Sequence, residues 1–335
     1  MPYNKEDKYK CFILGEQTET FGIGTKLTIP TPEEFKLLLA KEFLLTPSGA
    51  KSQFLKLVNY DASQNKNSFC GNPLVYAFYW EGLLATRYKN GKTLMETYEA
   101  DPQKYWERVC KMDRRKGRAP TARDAYELNK AITFFKPSTA KFLVQKFCPE
   151  HGKVFDPCAG WGGRMLGTIS AGRHYYGCDT NPAVAEYAKR MLGEIRDVVP
   201  RLGNQPNAGL PNAYIATKSC LDEQSGNEHD MAMTSPPYEN LEVYEGMTPF
   251  ENEDDYFINF LMPMIDQCLI SVKPGCPVCI NVSPKIYETL VGKYKYAPCS
   301  EKIDFLQQMG QQSGKKKDFV YIWRARQISF TDENV

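Results

Sequence analysis

From about residue 132 the chain alternates short apolar runs with stretches of helical period. The apolar runs Val154–Cys158, His174–Cys178, Tyr214–Thr217, Met231–Met233 and Val278–Val282 read as strands. Between them, Phe142, Leu143 and Phe147 mark one helix and a second begins near Arg164. Val184, Tyr187, Ala188, Met191, Leu192 and Ile195 mark a third, behind an Asn181-Pro182 start. Tyr256–Ile270 reads as a helix kinked at Pro263. Lys302–Phe305 and Phe319–Trp323 read as a terminal strand pair, separated by the polar stretch Gly310–Lys317. Alternating strands and helices predict an α/β fold with a mostly parallel sheet covered on both faces.

Upstream the pattern is mixed and richer in helix. Phe12–Leu14 and Lys26–Ile29 are short strand candidates. Thr31-Pro32-Glu33-Glu34 is a helix start with the makings of a capping box. Asp61–Phe69 is polar and loop-like, and the aromatic run Leu74–Trp80 after it reads as core more readily than as a stacking platform for bases. Asp101-Pro102 starts a helix through Tyr105, Trp106 and Val109. It leads into Lys111–Arg123, the most basic segment. There Arg114, Arg115, Lys116 and Arg118 are candidates for nucleic-acid phosphates, or else a solvated helix end. The change of composition here divides the chain into a helix-rich N-terminal region, 1–125, and an α/β domain, 126–335.

Composition adds limits. Hydrophobic residues at 42% and charged residues at 24% are those of a globular protein. A net charge of +2 means that a nucleic-acid partner needs a local basic face. No apolar run reaches membrane-spanning length, and Met1–Asp7 lacks the character of a signal peptide. Eleven cysteines without small-scaffold spacing point to reduced thiols, hence to a cytoplasmic or other intracellular setting. Cys276 and Cys279 read as strand thiols rather than as half of a metal site, and no metal site is expected.

Two loops carry the candidate chemistry. In Asp156-Pro157-Cys158-Ala159-Gly160-Trp161-Gly162-Gly163 a strand leaves through a glycine turn into a helix. Such a turn lets backbone approach a ligand, and the helix start offers free N–H groups to it. Asp179 ends the next strand about twenty residues on, where a carboxylate can accept both hydroxyls of a ribose. The turn differs from the dinucleotide fingerprint G-x-G-x-x-G, but Gly167 falls five residues after Gly162, so the glycine count alone does not settle that alternative; a P-loop is excluded more firmly, because no Gly-Lys-Ser/Thr follows. In the second loop a strand ends directly in Ser235-Pro236-Pro237-Tyr238. Consecutive prolines hold the backbone rigidly extended. Ser235 and the Pro236 carbonyl can accept the two N–H bonds of a planar amine, with the Tyr238 ring as a face for its base.

These two loops resemble the motifs of S-adenosylmethionine-dependent amino methyltransferases acting on exocyclic amines of DNA bases, over roughly residues 130–325. The turn resembles the D-P-F-x-G-S-G motif, with Cys158 for Phe and Trp161 for Ser. Phe135-Lys136-Pro137 resembles the segment over the methionine part of the cofactor, and Ser219-Cys220-Leu221-Asp222 the adenine-edge loop. Thr234–Tyr238 resembles the catalytic (S/N/D)-P-P-(Y/F/W) motif, and the residues after it look like methylases of phages and large viruses.

The resemblance implies a Rossmann-like methyltransferase fold with an antiparallel terminal strand, S-adenosylmethionine as cofactor, and DNA as partner, with RNA open. It implies cofactor contacts from Phe135, Pro137, Asp156, Pro157, Cys158, Ala159, Gly160, Gly162, Asp179, Thr180, Asn181, Cys220 and Leu221. Ser235, Pro236, Pro237 and Tyr238 become the catalytic set. Serine at the first motif position is more typical of cytosine-N4 enzymes, with N6-adenine or an RNA base the alternative. A partner subunit without turnover is the alternative of another class, which an intact Ser235–Tyr238 and Asp179 argue against.

Overall fold

The computed structural model describes residues 29–88, 91–116, 122–128, 133–196, 211–223, 226–305 and 318–325. The strand candidate Phe12–Leu14, most of Lys26–Ile29 and the stretch Gly310–Lys317 lie outside these residues. In chain order the early elements are α1 (Pro32–Phe43), α2 (Pro47–Val58), α3 (Asn72–Ala85), β1 (Arg87–Tyr88), α4 (Leu94–Ala100), α5 (Pro102–Lys116) and α6 (Ala122–Leu128). Next come α7 (Pro137–Phe147), β2 (Lys153–Asp156), α8 (Gly163–Ser170), β3 (His174–Asp179), α9 (Pro182–Ile195), β4 (Ala213–Thr217), β5 (Met231–Thr234) and β6 (Glu242–Val243). The chain closes with α10 (Met262–Ser271), β7 (Pro277–Val282), α11 (Pro284–Gly292), β8 (Glu301–Phe305) and β9 (Asp318–Arg324). Among the described residues no helix is long and apolar enough to cross a membrane.

Contacts group the chain into two units: 1–42 with 94–131, and 43–93 with 132–335. The linear division at 125/126 is therefore not how the contacts fall, because residues 43–93 group with the sheet. In the first unit Thr31 caps α1 and Glu34 returns a bond to the Thr31 N–H at 2.8 Å, completing the expected capping box. Phe35 stacks on Tyr98 at 4.1 Å, with Tyr105 and Trp106 edge-on to it.

The second unit is built on a seven-stranded sheet in the order β4-β3-β2-β5-β7-β9-β8. The first five of these run parallel to one another, and β9 runs antiparallel between β7 and β8. This is the Rossmann-like sheet with an antiparallel terminal strand that the resemblance implies. Alternation along the central strands serves two cores. Val154, Met231, Met233 and Cys279 pack with Ala140, Leu143 and Val144 of α7. Phe155, Ala232, Val278 and Ile280 pack with Tyr256, Leu261, Met264 and Cys268. A sheet covered on both faces needs apolar residues at every position, which is why these strands read as unbroken apolar runs.

One local expectation changes and one holds. Pro263 sits in the first turn of α10, where its missing N–H does no harm, and the irregularity precedes it as a π-helical turn over Asp255–Leu261. The aromatic run Leu74–Trp80 lies within helix α3, with Leu74, Val75, Ala77 and Tyr79 buried as core.

Residues 43–93 are tied to the sheet layer through Lys141 of α7. Its Nζ donates to the carbonyls of Leu57, Val58 and Tyr60 at 2.8, 2.7 and 2.9 Å. Leu57 and Val58 end α2 and Tyr60 lies just beyond it; the Leu57 carbonyl also accepts from the Tyr60 N–H at 3.2 Å. Burial pulls the Lys141 pKa down to about 8, against which three acceptors around three ammonium hydrogens favour the charged form. Lys141→Met takes this donor from the Val58 and Tyr60 carbonyls and is expected to lower unfolding free energy by about 2 kcal/mol, measured by urea titration. A change within error would show that solvent satisfies them equally well.

Candidate functional site

The C-terminal ends of β2, β3, β5 and β7 open on one cavity of about 1000 Å³. It lies where the order of the sheet reverses, with β3 on one side of β2 and β5 on the other. Ligand crevices of open α/β sheets form at this point, because the connections leave in opposite directions there.

The glycine turn after β2 forms the first wall. Gly160 and Gly162 take positive φ of 55° and 70°. The Ala159 N–H donates to the Cys178 carbonyl at 2.8 Å, which fastens the turn to β3. A Cβ on Gly163 would lie 1.9 Å from the Phe135 carbonyl oxygen, so only glycine lets α8 start so close to the segment leading into α7. Trp161 is edge-on to Tyr79 of α3 and to Tyr244, and so joins the turn to the segment after β6.

Asp179, the last residue of β3, faces this turn. One carboxylate oxygen accepts from the Gly160 N–H at 2.8 Å and the other from the Asn181 N–H at 2.9 Å. Each oxygen keeps a second lone-pair site, so the carboxylate is held in place and can still accept two hydroxyls. Burial pushes its pKa up, and the two backbone donors oppose that. Asn181 caps α9 through the Ala183 N–H at 2.9 Å. Across from it lie Lys218, Ser219 and Cys220 after β4. The neighbouring Cys220 thiol, with burial, raises the Cys158 pKa well above the ordinary thiol value.

The Ser235–Tyr238 corner after β5 forms the opposite wall, and all four residues line the cavity. Its neighbour β7 supplies Asn281, whose side-chain oxygen accepts from the hydroxyls of Ser235 and Tyr238, each at 3.3 Å. The Tyr256 hydroxyl donates to the Pro237 carbonyl at 3.0 Å. Phe250 and Phe260, 5.2 Å apart, extend the aromatic surface begun by Tyr238. A third side comes from Phe134–Lys136 with Asn67 and Phe69. The Lys136 ammonium donates to the Asn67 side chain at 2.7 Å and lies over the Phe69 ring at 4.2 Å.

Of the expected cofactor contacts, Phe135, Pro157, Cys158, Ala159, Gly160, Asp179, Thr180, Asn181 and Cys220 line the cavity. Four are placed otherwise. Asp156 is fully buried and turned inward, where it accepts from Arg164 Nε at 2.7 Å and from the Tyr175 hydroxyl at 2.7 Å. Pro137 is packed beneath Gly71 and the start of α8. Gly162 shapes the turn, with Tyr79 against it. Leu221 is 40% exposed on a 3₁₀ turn whose inward residue is Cys220. Arg114, Arg115 and Lys116 close α5, with side chains outside the described residues, as is all of Arg118. Arg164, Asn281, Phe250 and Phe260 were not singled out by pattern. Asn281 had a signal, as the one polar residue of Val278–Val282 at the strand end nearest the cavity.

No family model and no curated protein matches the chain. Solved structures share the fold at low identity. One from Listeria monocytogenes, described provisionally as a class I S-adenosylmethionine-dependent methyltransferase, is 14% identical. It has a TM-score of 0.43, covering 85% of this chain and 91% of that one. A tRNA (m1A58) methyltransferase from Aquifex aeolicus is 11% identical with a TM-score of 0.38, over 57% of this chain and 70% of that one. An rRNA methylase from Streptococcus thermophilus is 9% identical with a TM-score of 0.37, over 58% and 100%. At such identity and score the functional reading rests on the site itself.

Proposed function

We propose that this chain transfers a methyl group from S-adenosylmethionine to the exocyclic amine of a nucleic-acid base, cytosine N4 in DNA before adenine N6. The observation that carries this is the shared hollow: Asp179 and Ser235 line one cavity, at the ends of strands that flank β2 on either side. S-adenosylmethionine, when bound, supplies an electrophilic methyl on a positively charged sulfur. The donor set fits it. Asp179 is held with two acceptor sites for ribose hydroxyls, and the turn at Gly160 brings backbone close to the same place. Ser219 and Cys220 border the space where the base of the cofactor would lie.

On the opposite wall Ser235 and the Pro236 carbonyl receive the N–H bonds of the amine. The Pro237 carbonyl is already engaged by Tyr256. Two such bonds draw the nitrogen toward tetrahedral geometry and direct its lone pair at the methyl. The rest of the rate enhancement is positioning. Tyr238, Phe250 and Phe260 offer stacking faces for a base taken out of its duplex.

Ser235→Ala is expected to lower turnover about tenfold, the worth of one hydrogen bond, with cofactor affinity unchanged by calorimetry. A parallel loss of cofactor affinity would contradict the role. The basic end of α5 is the proposed phosphate contact. Neutralising Arg114, Arg115 and Lys116 together should weaken DNA binding and flatten the slope of log K against log salt by up to about 2.7. An unchanged slope would make the segment a plain linker.

A further inference from the structure

We propose that Asn281 is a positioning residue that fixes Ser235 as a hydrogen-bond acceptor, so that the site selects a donor group, an amine, over a carbonyl or an unprotonated ring nitrogen. This deepens the function proposed above and rests on it. Asn281 is 6% exposed, the one polar residue in a strand otherwise made of Pro277, Val278, Cys279, Ile280 and Val282. Its amide orientation follows from β9. Its Nδ2 donates at 2.8 Å to the carbonyl of Phe319, the residue opposite Val282 in the antiparallel pair. A carbonyl can only accept, so the amide nitrogen must face β9 and the amide oxygen must face the cavity. That oxygen also can only accept. The Ser235 hydroxyl, 3.3 Å away, therefore donates to it, and the Tyr238 hydroxyl donates to the same residue, 3.3 Å from the amide oxygen and 3.4 Å from the backbone carbonyl. With its hydrogen committed to Asn281, the Ser235 oxygen has only lone pairs to present to a substrate. A substrate acceptor would have to break the Asn281 bond to gain one from Ser235, whereas an N–H group adds to the existing chain. In such a chain each hydrogen bond polarises the next. The antiparallel terminal strand thus sets the polarity of the catalytic corner.

The test is a double-mutant cycle on the full chain, reading kcat, KM and cofactor affinity for Asn281→Leu, Ser235→Ala and the two combined. Each single variant should lower kcat about tenfold with cofactor Kd within about twofold, and the double variant should fall no further than Ser235→Ala alone. Losses that multiply to about 100-fold in the double variant would overturn the proposal. If Asn281→Leu does not fold, the same cycle with Asn281→Ala decides the matter by the same criteria. Multiplying losses in an active enzyme refute this inference alone. An unsubstituted chain that transfers no methyl group refutes the parent reading and this one with it.

Discussion

Asp179→Ala is expected to weaken S-adenosylmethionine binding by at least about 100-fold while leaving the fold intact. Hydrogen bonds to a charged group contribute about 1.5–3 kcal/mol each, and two ribose hydroxyls lose their acceptor together. At about 1.4 kcal/mol per factor of ten, that is roughly 2 to 4 orders of magnitude. The backbone donors of Gly160 and Asn181 lose the same carboxylate, so the glycine turn also loses one of its ties to β3. Its other tie, from the Ala159 N–H to Cys178, remains and should keep the turn in place. Burial raises the Asp179 pKa, so the carboxylate takes up its proton at a higher pH than an exposed aspartate. Only the ionised form accepts at all its sites. Affinity should therefore fall as pH drops through this raised value, and the Ala variant should lose that dependence. Calorimetry across pH measures both. Affinity within tenfold of the unsubstituted chain would remove the ribose role.

Arg164→Met is expected to destabilise the protein by about 3–5 kcal/mol, the cost of leaving a buried charge without its partner. Arg164 and Asp156 are both buried and meet at 2.7 Å. Arg164 also donates to the Cys158 carbonyl, and its guanidinium lies over the Phe135 ring at 5.5 Å. This pair is the pin beneath the glycine turn: α8 reaches back to hold both the strand end and the loop. The remaining donors, the Tyr175 hydroxyl and the Cys158 N–H at 3.3 Å, are neutral and cannot balance a buried carboxylate. Asp156→Asn in the same chain should recover part of the loss, because it removes the stranded charge. Urea titrations of the single and double variants test this. A single-variant change below about 1 kcal/mol would show that water reaches Asp156.

The alternation of strand and helix after residue 132 was legible because a doubly covered sheet leaves no room for polar residues in its central strands. The period then changes visibly at each helix, as at Val184–Ile195. Residues 43–93 were not legible as part of this unit. An apolar helix face shows that something covers it, and contacts such as the carbonyls around Lys141 and Tyr79 against Trp161 show what. The two loops could be read because glycine and proline restrict the backbone locally. The direction of a strand's last side chain is not local. Asp156 looked like a ligand contact, and its turn toward Arg164 depends on where α8 packs. Asn281 was hidden for the same reason, since its meaning comes from β5 and β9, each some forty residues away.

Analysis of nucleosides by mass spectrometry in DNA from cells expressing the chain, against the Ser235→Ala chain, meets the central claim most directly. The account predicts N4-methylcytosine, strongly reduced by the substitution. Methyl on adenine N6 would keep the site and change the base. Methyl on a ring carbon or ring nitrogen, or equal methylation with and without the Ser235 hydroxyl, would contradict it.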